Sequence, residues 1–243
     1  MRLIRIFVEA ALAAGARVSV TGPAAAHVQR VLRLAAGDEL TLFNGDGHDY
    51  PSRIAGFGRG TVEVTVGGRG DARPESPLAV TLVQGIARSE RMDLMVQKAT
   101  ELGVAAILPV TTARSVVRLD RDTRERKLAH WRGIAVAACE QCGRARIPTI
   151  GVPAPLSGRL GAPAAGTRFL LAPDAAVSLA DAARGEVSVE VLIGPEGGLE
   201  DDERDAALAA GFRACRLGPR VLRSETAAIA ALAILQSVAG DLG

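Results

Sequence analysis

The chain has 243 residues, 48% hydrophobic and 23% charged, with 29 Lys and Arg against 27 Asp and Glu. That length suggests one or two domains with sizeable cores, and the composition argues against disorder. The longest apolar run, Ala227 to Leu235, has nine residues, which excludes a helix of the roughly 20 residues needed to cross a bilayer.

The opening Met1-Arg2-Leu3-Ile4-Arg5 has no long apolar stretch and no small-residue exit, so no secretory signal is expected. Three cysteines make no disulfide framework. A cytoplasmic protein is the expectation. Charge is unevenly spread. Residues 1–72 hold 8 basic and 7 acidic side chains, residues 73–150 hold 13 and 8, and residues 151–243 hold 8 and 12. The middle third therefore suits a polyanion, although arginines also simply cover solvated helices. Only Lys98 and Lys127 are lysines; with abundant Ala and Gly this reads as base-composition bias.

Taken in chain order, residues 1–66 read as a small β-rich unit. Strands are expected at Arg17–Val20, Glu39–Asn44 and Thr61–Val66, the last alternating with period two. Asn44-Gly45-Asp46-Gly47 marks a turn between strands. A helix is expected from Pro23 to about Leu34, with His27, Arg30 and Arg33 roughly along one face. Residues 67–77, Gly-Gly-Arg-Gly-Asp-Ala-Arg-Pro-Glu-Ser-Pro, read as a linker. The expected division is a first domain over 1–70 and a second over 78–243.

From residue 78 strands alternate with helices: strand Leu78–Gln84, helix Glu90–Leu102, strand Val104–Val110, helix Thr123–Gln141, strand Phe169–Ala172, helix Ser178–Ala183, strand Val189–Ile193, helix Glu200–Ala210, strand Arg213–Leu217 and helix Ser224–Val238. Apolar strands alternating with helices predict a parallel α/β sheet.

Several chemistries lack their motif. Neither lysine is followed by Ser or Thr, so there is no P-loop, and no Gly-x-Gly-x-x-Gly opens a helix after a strand. His27, His48 and His130 are scattered and suggest no metal site. Cys139-Glu140-Gln141-Cys142 is a single CxxC late in a helix, which favours packed thiols over a redox pair.

Two segments carry chemistry. Ile193-Gly194-Pro195-Glu196-Gly197-Gly198 follows a buried strand and precedes a helix with Glu200, Asp201 and Asp202 in its first turn. Three glycines in five positions suit close approach of a ligand to the backbone, at the sheet edge where ligands bind. The second, Leu217-Gly218-Pro219-Arg220-Val221-Leu222-Arg223-Ser224-Glu225-Thr226-Ala227, also links a strand to a helix, with Ser224 expected as its N-cap. That helix is apolar all round and must be buried, in the core or in a subunit interface.

These two segments resemble the trefoil-knotted SPOUT methyltransferases, most closely the 16S ribosomal RNA uridine-N3 methyltransferases. The resemblance extends to Ala99-Thr100-Glu101-Leu102-Gly103-Val104, Arg114-Ser115-Val116, Glu140-Gln141-x-x-Arg144-x-x-x-Pro148 and His27-x-x-x-Val31-Leu32-Arg33-Leu34-x-x-Gly37-Asp38, nearly the whole chain. Cys142 stands where Ser is common in the family and Leu199 where an aromatic is common.

The resemblance implies a C-terminal parallel-sheet α/β domain with a deep trefoil knot, preceded by a small PUA-like RNA-binding β-barrel. It implies an S-adenosylmethionine pocket made by Leu171, Ala172 and Pro173; by Ile193, Gly194, Pro195, Gly197 and Gly198; and by Leu217, Gly218, Val221, Leu222, Arg223, Thr226 and Ala227. Arg223 is expected beside the target base, with Glu196 or Glu225 as proton acceptor; the alternatives are an Arg223–Glu225 ion pair and a Glu196 carboxylate bonding loop amides. RNA contacts are expected from Arg2, Arg5, His27, Arg30, Arg33, Arg88 and Arg114, and from Glu140, Gln141 and Arg144. The implied partners are small-subunit ribosomal RNA and a second copy of the chain, with no metal and no membrane. A noncatalytic RNA-binding assembly factor, and a related enzyme acting on another RNA or a ribose 2′-hydroxyl, are the other readings.

Overall fold

The computed structural model describes residues 4–115, 120–164 and 166–243. The chain divides into two compact units. The first runs to Glu75 and includes Cys139–Ile147; the second holds Ser76–Ala138 and Pro148–Gly243.

The first unit contains β1 (Arg5–Phe7), β2 (Arg17–Val20), α1 (Gly22–Ala26) running into a π turn (His27–Val31), β3 (Glu39–Phe43), β4 (Tyr50–Gly58) and β5 (Thr61–Val66). They form one five-stranded sheet in the order β1-β3-β4-β5-β2. Alternation places Val62, Val64 and Val66 of β5 inward, where they meet Leu40, Leu42, Tyr50 and Ile54. β4 escapes the sequence pattern because Pro51, Gly56 and Gly58 interrupt it and a bulge shifts its register between Ile54 and Gly56.

The helix expected to Leu34 is instead a short α-helix that widens. The Leu32 amide bonds the His27 carbonyl five residues back, and Arg33 takes a left-handed φ of 54°. His27, Arg30 and Arg33 therefore do not form a regular helical row.

The second unit contains β6 (Ala79–Gly85), α2 (Ser89–Glu101), β7 (Ala106–Thr111), α3 (Arg121–Cys142, its last turn packing in the first unit), β8 (Thr149–Ile150), β9 (Ala154–Pro155), α4 (Leu156–Leu160), β10 (Thr167–Leu171), α5 (Leu179–Ala182), β11 (Ser188–Ile193), α6 (Asp201–Ala209), β12 (Arg213–Cys215) and α7 (Ser224–Ala239). The sheet is parallel, ordered β12-β10-β11-β6-β7-β8, with β9 also pairing β7. β6 and β11 lie at its centre and are buried almost throughout, which is why they read as mainly apolar runs, interrupted by Thr81 and Gln84 in β6 and Glu190 in β11. From β6 the chain first builds outward through β7, then returns to build β10, β11 and β12 on the other side. The strand order thus switches between β6 and β11, where a doubly wound sheet opens a crevice at its carboxyl edge.

α6 starts on a reciprocal capping box between Glu200 and Glu203, with Asp201 and Asp202 in its first turn. Ser224 is not the N-cap of α7: Arg223 holds that position, and the Ser224 hydroxyl donates to the Gly194 carbonyl at 2.7 Å. Among the described residues no helix is long and apolar enough to cross a membrane.

Candidate active site

The carboxyl ends of β10, β11 and β12 surround a cavity of about 560 Å³ in the second unit. Its wall takes Leu171, Ala172 and Pro173 after β10, Ile193 through Leu199 after β11, and Leu217, Gly218 and Arg220 through Ser224 after β12, with Ala227 from α7. Every residue expected to bind the cofactor is there except Thr226, which is exposed and outside the lining. The backbone explains the glycines. Gly198 has φ +72° and Gly218 φ +146°, regions that disfavour a Cβ. A Cβ on Gly197 would sit 3.1 Å from the Arg114 Cβ.

The wall combines apolar side chains with four guanidinium groups, Arg91, Arg204, Arg220 and Arg223. Arg204 is held by Asp174 at 2.8 Å, beside Pro173. Arg223 is exposed on the lining.

The two carboxylates both reach Arg91 but sit differently. Glu196 lies on the wall, and its Oε1 accepts from the Arg88 amide at 3.1 Å and from Arg91 at 3.2 Å. Burial pushes its pKa up, but the Arg88 amide, its own amide and the charges of Arg91 and Arg88 outweigh that and hold it below the ordinary value. Glu225 is buried outside the lining, and its Oε1 lies 3.7 Å from Arg91 Nε. The carboxylate of Glu225 thus faces Arg91 and not Arg223. Glu196 thus makes the amide contact expected of the alternative reading, and Glu225 does not form the alternative ion pair with Arg223.

Arg91 was not singled out in the sequence. Its signal was its place on the first turn of α2, just beyond the carboxyl end of β6, the edge where the other loops gather.

The expected RNA contacts separate into exposed and inward groups. His27, Arg30 and Arg33 in the first unit are exposed, as are Arg88 and Arg114 in the second and Gln141 at the end of α3. Arg114 donates to the Gly197 carbonyl at 2.9 Å. Arg2 lies outside the described residues.

Arg5 is a correction. It is 5% exposed, bonds Asp49 at 2.6 Å and the Cys139 and Arg144 carbonyls at 2.5 and 3.0 Å, and lies over the Phe43 ring. A guanidinium so enclosed has no face for a phosphate. Glu140 accepts from the Phe7 amide at 3.0 Å, and Arg144 pairs with Glu75. Both hold Cys139–Ile147 within the first unit and do not form an RNA-facing row with Gln141. Cys139 is buried and its thiol is pushed up to about 12, chiefly by burial, so it is a packing group.

A parallel α/β domain with a backbone-lined pocket at the carboxyl edge of its sheet, joined to a small β unit, defines a ligand-binding α/β enzyme with an accessory module. Comparison with known proteins specifies which. Residues 74–236 match the RNA methyltransferase domain family, and residues 20–67 match the RNA methyltransferase PUA domain. The ribosomal RNA small subunit methyltransferase E of Buchnera aphidicola is 32% identical over 244 residues, covering 99% of this chain and 98% of that protein. That of Mycobacterium bovis is 36% identical over 232 residues, covering 90% and 85%.

Among solved structures, ribosomal RNA small subunit methyltransferase E of Neisseria gonorrhoeae bound to S-adenosyl methionine superposes with a TM-score of 0.91 at 33% identity, covering 100% of both chains. A Legionella pneumophila protein in complex with the bound cofactor SAM gives a TM-score of 0.95 at 38% identity, also covering 100% of both. The chain belongs to the RNA methyltransferase family that contains these small subunit methyltransferase E proteins. It is an RNA methyltransferase with a PUA unit, as the sequence resemblance implied.

Proposed function

We propose that the chain methylates N3 of one uridine in small-subunit 16S ribosomal RNA, using S-adenosylmethionine held in the pocket at the sheet's carboxyl edge. The observation that carries this is the reunion of the three expected loops, after β10, β11 and β12, around one cavity. The pocket fits the cofactor chemically. Leu171, Ile193, Leu217 and Leu222 offer apolar faces for a purine, and the loop backbones offer donors and acceptors for its edge. Bound S-adenosylmethionine supplies an electrophilic methyl group.

The residues of the chain then have to orient the base and favour its anion, since N3 attacks well only without its proton. Arg223 is the group we place against the uracil, where its charge stabilises the anion. Glu196 and Glu225 hold Arg91 and the loops that carry them, and neither takes the N3 proton.

His27, Arg30 and Arg33, with Arg88, Arg114 and Gln141, are proposed as the RNA contacts, positioning the RNA through its phosphates. We assign residues 1–70 to the PUA-like domain and 78–243 to the catalytic domain, except Cys139–Ile147, which pack with the first unit. The segment before α7, tied to Gly194 by Ser224, is proposed as the crossing that makes the knot. A homodimer through α7 is supported by Ile229, Ala230, Ala233, Ile234 and Val238, which stay only half-buried within one chain; light scattering tests it. We place the enzyme in the cytoplasm, with its ribosomal substrate.

Arg223→Ala tests the mechanism. It should leave S-adenosylmethionine affinity within a few-fold and lower kcat by about 10²–10³-fold, the scale of losing one electrostatic stabiliser. Unchanged kcat would remove Arg223 from the reaction.

A further inference from the structure

At the carboxyl end of β6, the side chain of Gln84, the penultimate residue of the strand, is fully buried. Its Nε2 donates to the Gly85 carbonyl at 2.9 Å and to Ser224 Oγ at 3.0 Å, and lies 3.5 Å from the Gly194 carbonyl. All three are acceptors, because the Ser224 hydroxyl spends its own proton on Gly194 at 2.7 Å. That pattern fixes which end of the Gln84 amide is nitrogen. The neighbouring Gly85 shows how closely the backbones approach: a Cβ there would lie 2.4 Å from the Pro195 nitrogen.

Three segments distant in sequence thus meet at one amide: the end of β6, the glycine loop after β11 and the first residue of α7. Glu196 and the Gly197 carbonyl are held from outside the loop by Arg88, Arg91 and Arg114, whereas the Gly194 end has no side chain of its own and a glycine there samples many conformations.

We propose that Gln84 is a positioning residue for the cofactor loop, acting with Ser224 as a pin that fixes the Gly194 carbonyl. This rests on the proposal that the Gly194–Gly198 loop binds S-adenosylmethionine. The pin joins that loop to the start of α7, so two cofactor-contacting segments are set by one buried contact. Loss of the pin frees the peptide plane before Pro195 and lowers cofactor affinity without touching the RNA-binding residues.

Ser224→Ala removes the hydroxyl alone. Gln84→Glu keeps the shape and replaces the donor with an acceptor, facing two carbonyls. Calorimetry with S-adenosylmethionine should show each variant binding about tenfold more weakly, as one or two buried hydrogen bonds would give. The double variant should lose less than the product of the two, because they break one unit. KM for S-adenosylmethionine should rise while KM for the ribosomal subunit stays near wild type and Ser224→Ala stays folded at the assay temperature.

Hydrogen exchange at the amides of residues 196–198 should speed up in Ser224→Ala without any cofactor. Cofactor affinity within twofold of wild type in folded Ser224→Ala overturns the proposal, as does unchanged exchange at those amides. If wild type takes up no S-adenosylmethionine, the cofactor reading has failed, and the exchange measurement still decides whether the pin exists.

Discussion

The Arg91 guanidinium and the Glu196 carboxylate, both on the pocket wall, meet at 3.2 Å. The same guanidinium lies 3.7 Å from Glu225, so one cation from α2 braces two carboxylates from two different loops. Glu196 belongs to the loop after β11 and Glu225 to the first turn of α7. The bracket ties the loop after β11 to the start of α7 through one guanidinium. A proton acceptor needs a pKa near the working pH, and Glu196 is shifted the other way.

Glu196→Gln therefore tests an anchor against a base. Its charged-state contribution is present above the ordinary carboxylate pKa and disappears only as pH falls through the lowered folded value. Near neutrality Glu196, its pKa held below the ordinary carboxylate value, stays charged. The acid limb of the pH–rate profile should stay in place in the variant, with cofactor affinity falling by less than about tenfold for loss of one charged hydrogen bond. Disappearance of that limb would make Glu196 a base after all.

Arg5 gives a contrast between burial and surface charge. With side-chain exposures of 3% for Arg5 and 10% for Asp49, removing the arginine leaves a buried carboxylate to the more exposed Arg73 alone. Arg5→Ala should cost about 3–5 kcal/mol in denaturant unfolding. An unchanged unfolding midpoint with weakened RNA binding would restore Arg5 to the RNA contacts.

Gly85→Ala places a methyl 2.4 Å from the Pro195 nitrogen. Backbone cannot yield as a flexible side chain does, so the glycine loop must shift. The expected cost is about 1–3 kcal/mol, as for overpacking a core, with cofactor binding lost before global unfolding. Calorimetry on the folded variant checks this; wild-type affinity would mean that the loop tolerates displacement.

The cysteines should react unequally. Cys139, pushed up to about 12, and the buried Cys215 should resist iodoacetamide at mild alkaline pH, while the exposed Cys142 is labelled. Peptide mass spectrometry reads the outcome. Equal labelling at Cys139 and Cys142 would mean that the end of α3 opens readily.

The sequence made legible whatever rests on local pattern. Thr61–Val66 alternates, and it is β5 to the residue. The apolar spacing of Met92, Met95, Val96 and Ala99 places α2 within one residue at each end. The glycine loops were visible because backbone exposed to a ligand leaves its mark in composition. What stayed hidden depends on residues far apart in the chain. Nothing near Arg5 tells that Asp49 and the carbonyls of 139 and 144 enclose it. β4 is masked by its own proline, glycines and bulge, and β8, β9 and α4 are too short for a period. Arg91 and Gln84 act through the sheet order, which brings the end of β6 beside β11, and a single sequence does not print that order.

The most direct test is to incubate the purified protein with labelled S-adenosylmethionine and small ribosomal subunits lacking the modification, then identify the labelled nucleoside by mass spectrometry. The account predicts N3-methyluridine in the small-subunit RNA, formed about 10²–10³-fold more slowly when the Arg223→Ala variant replaces the wild type. Label on a ribose 2′-hydroxyl or another base, or no label although the cofactor binds, would contradict it.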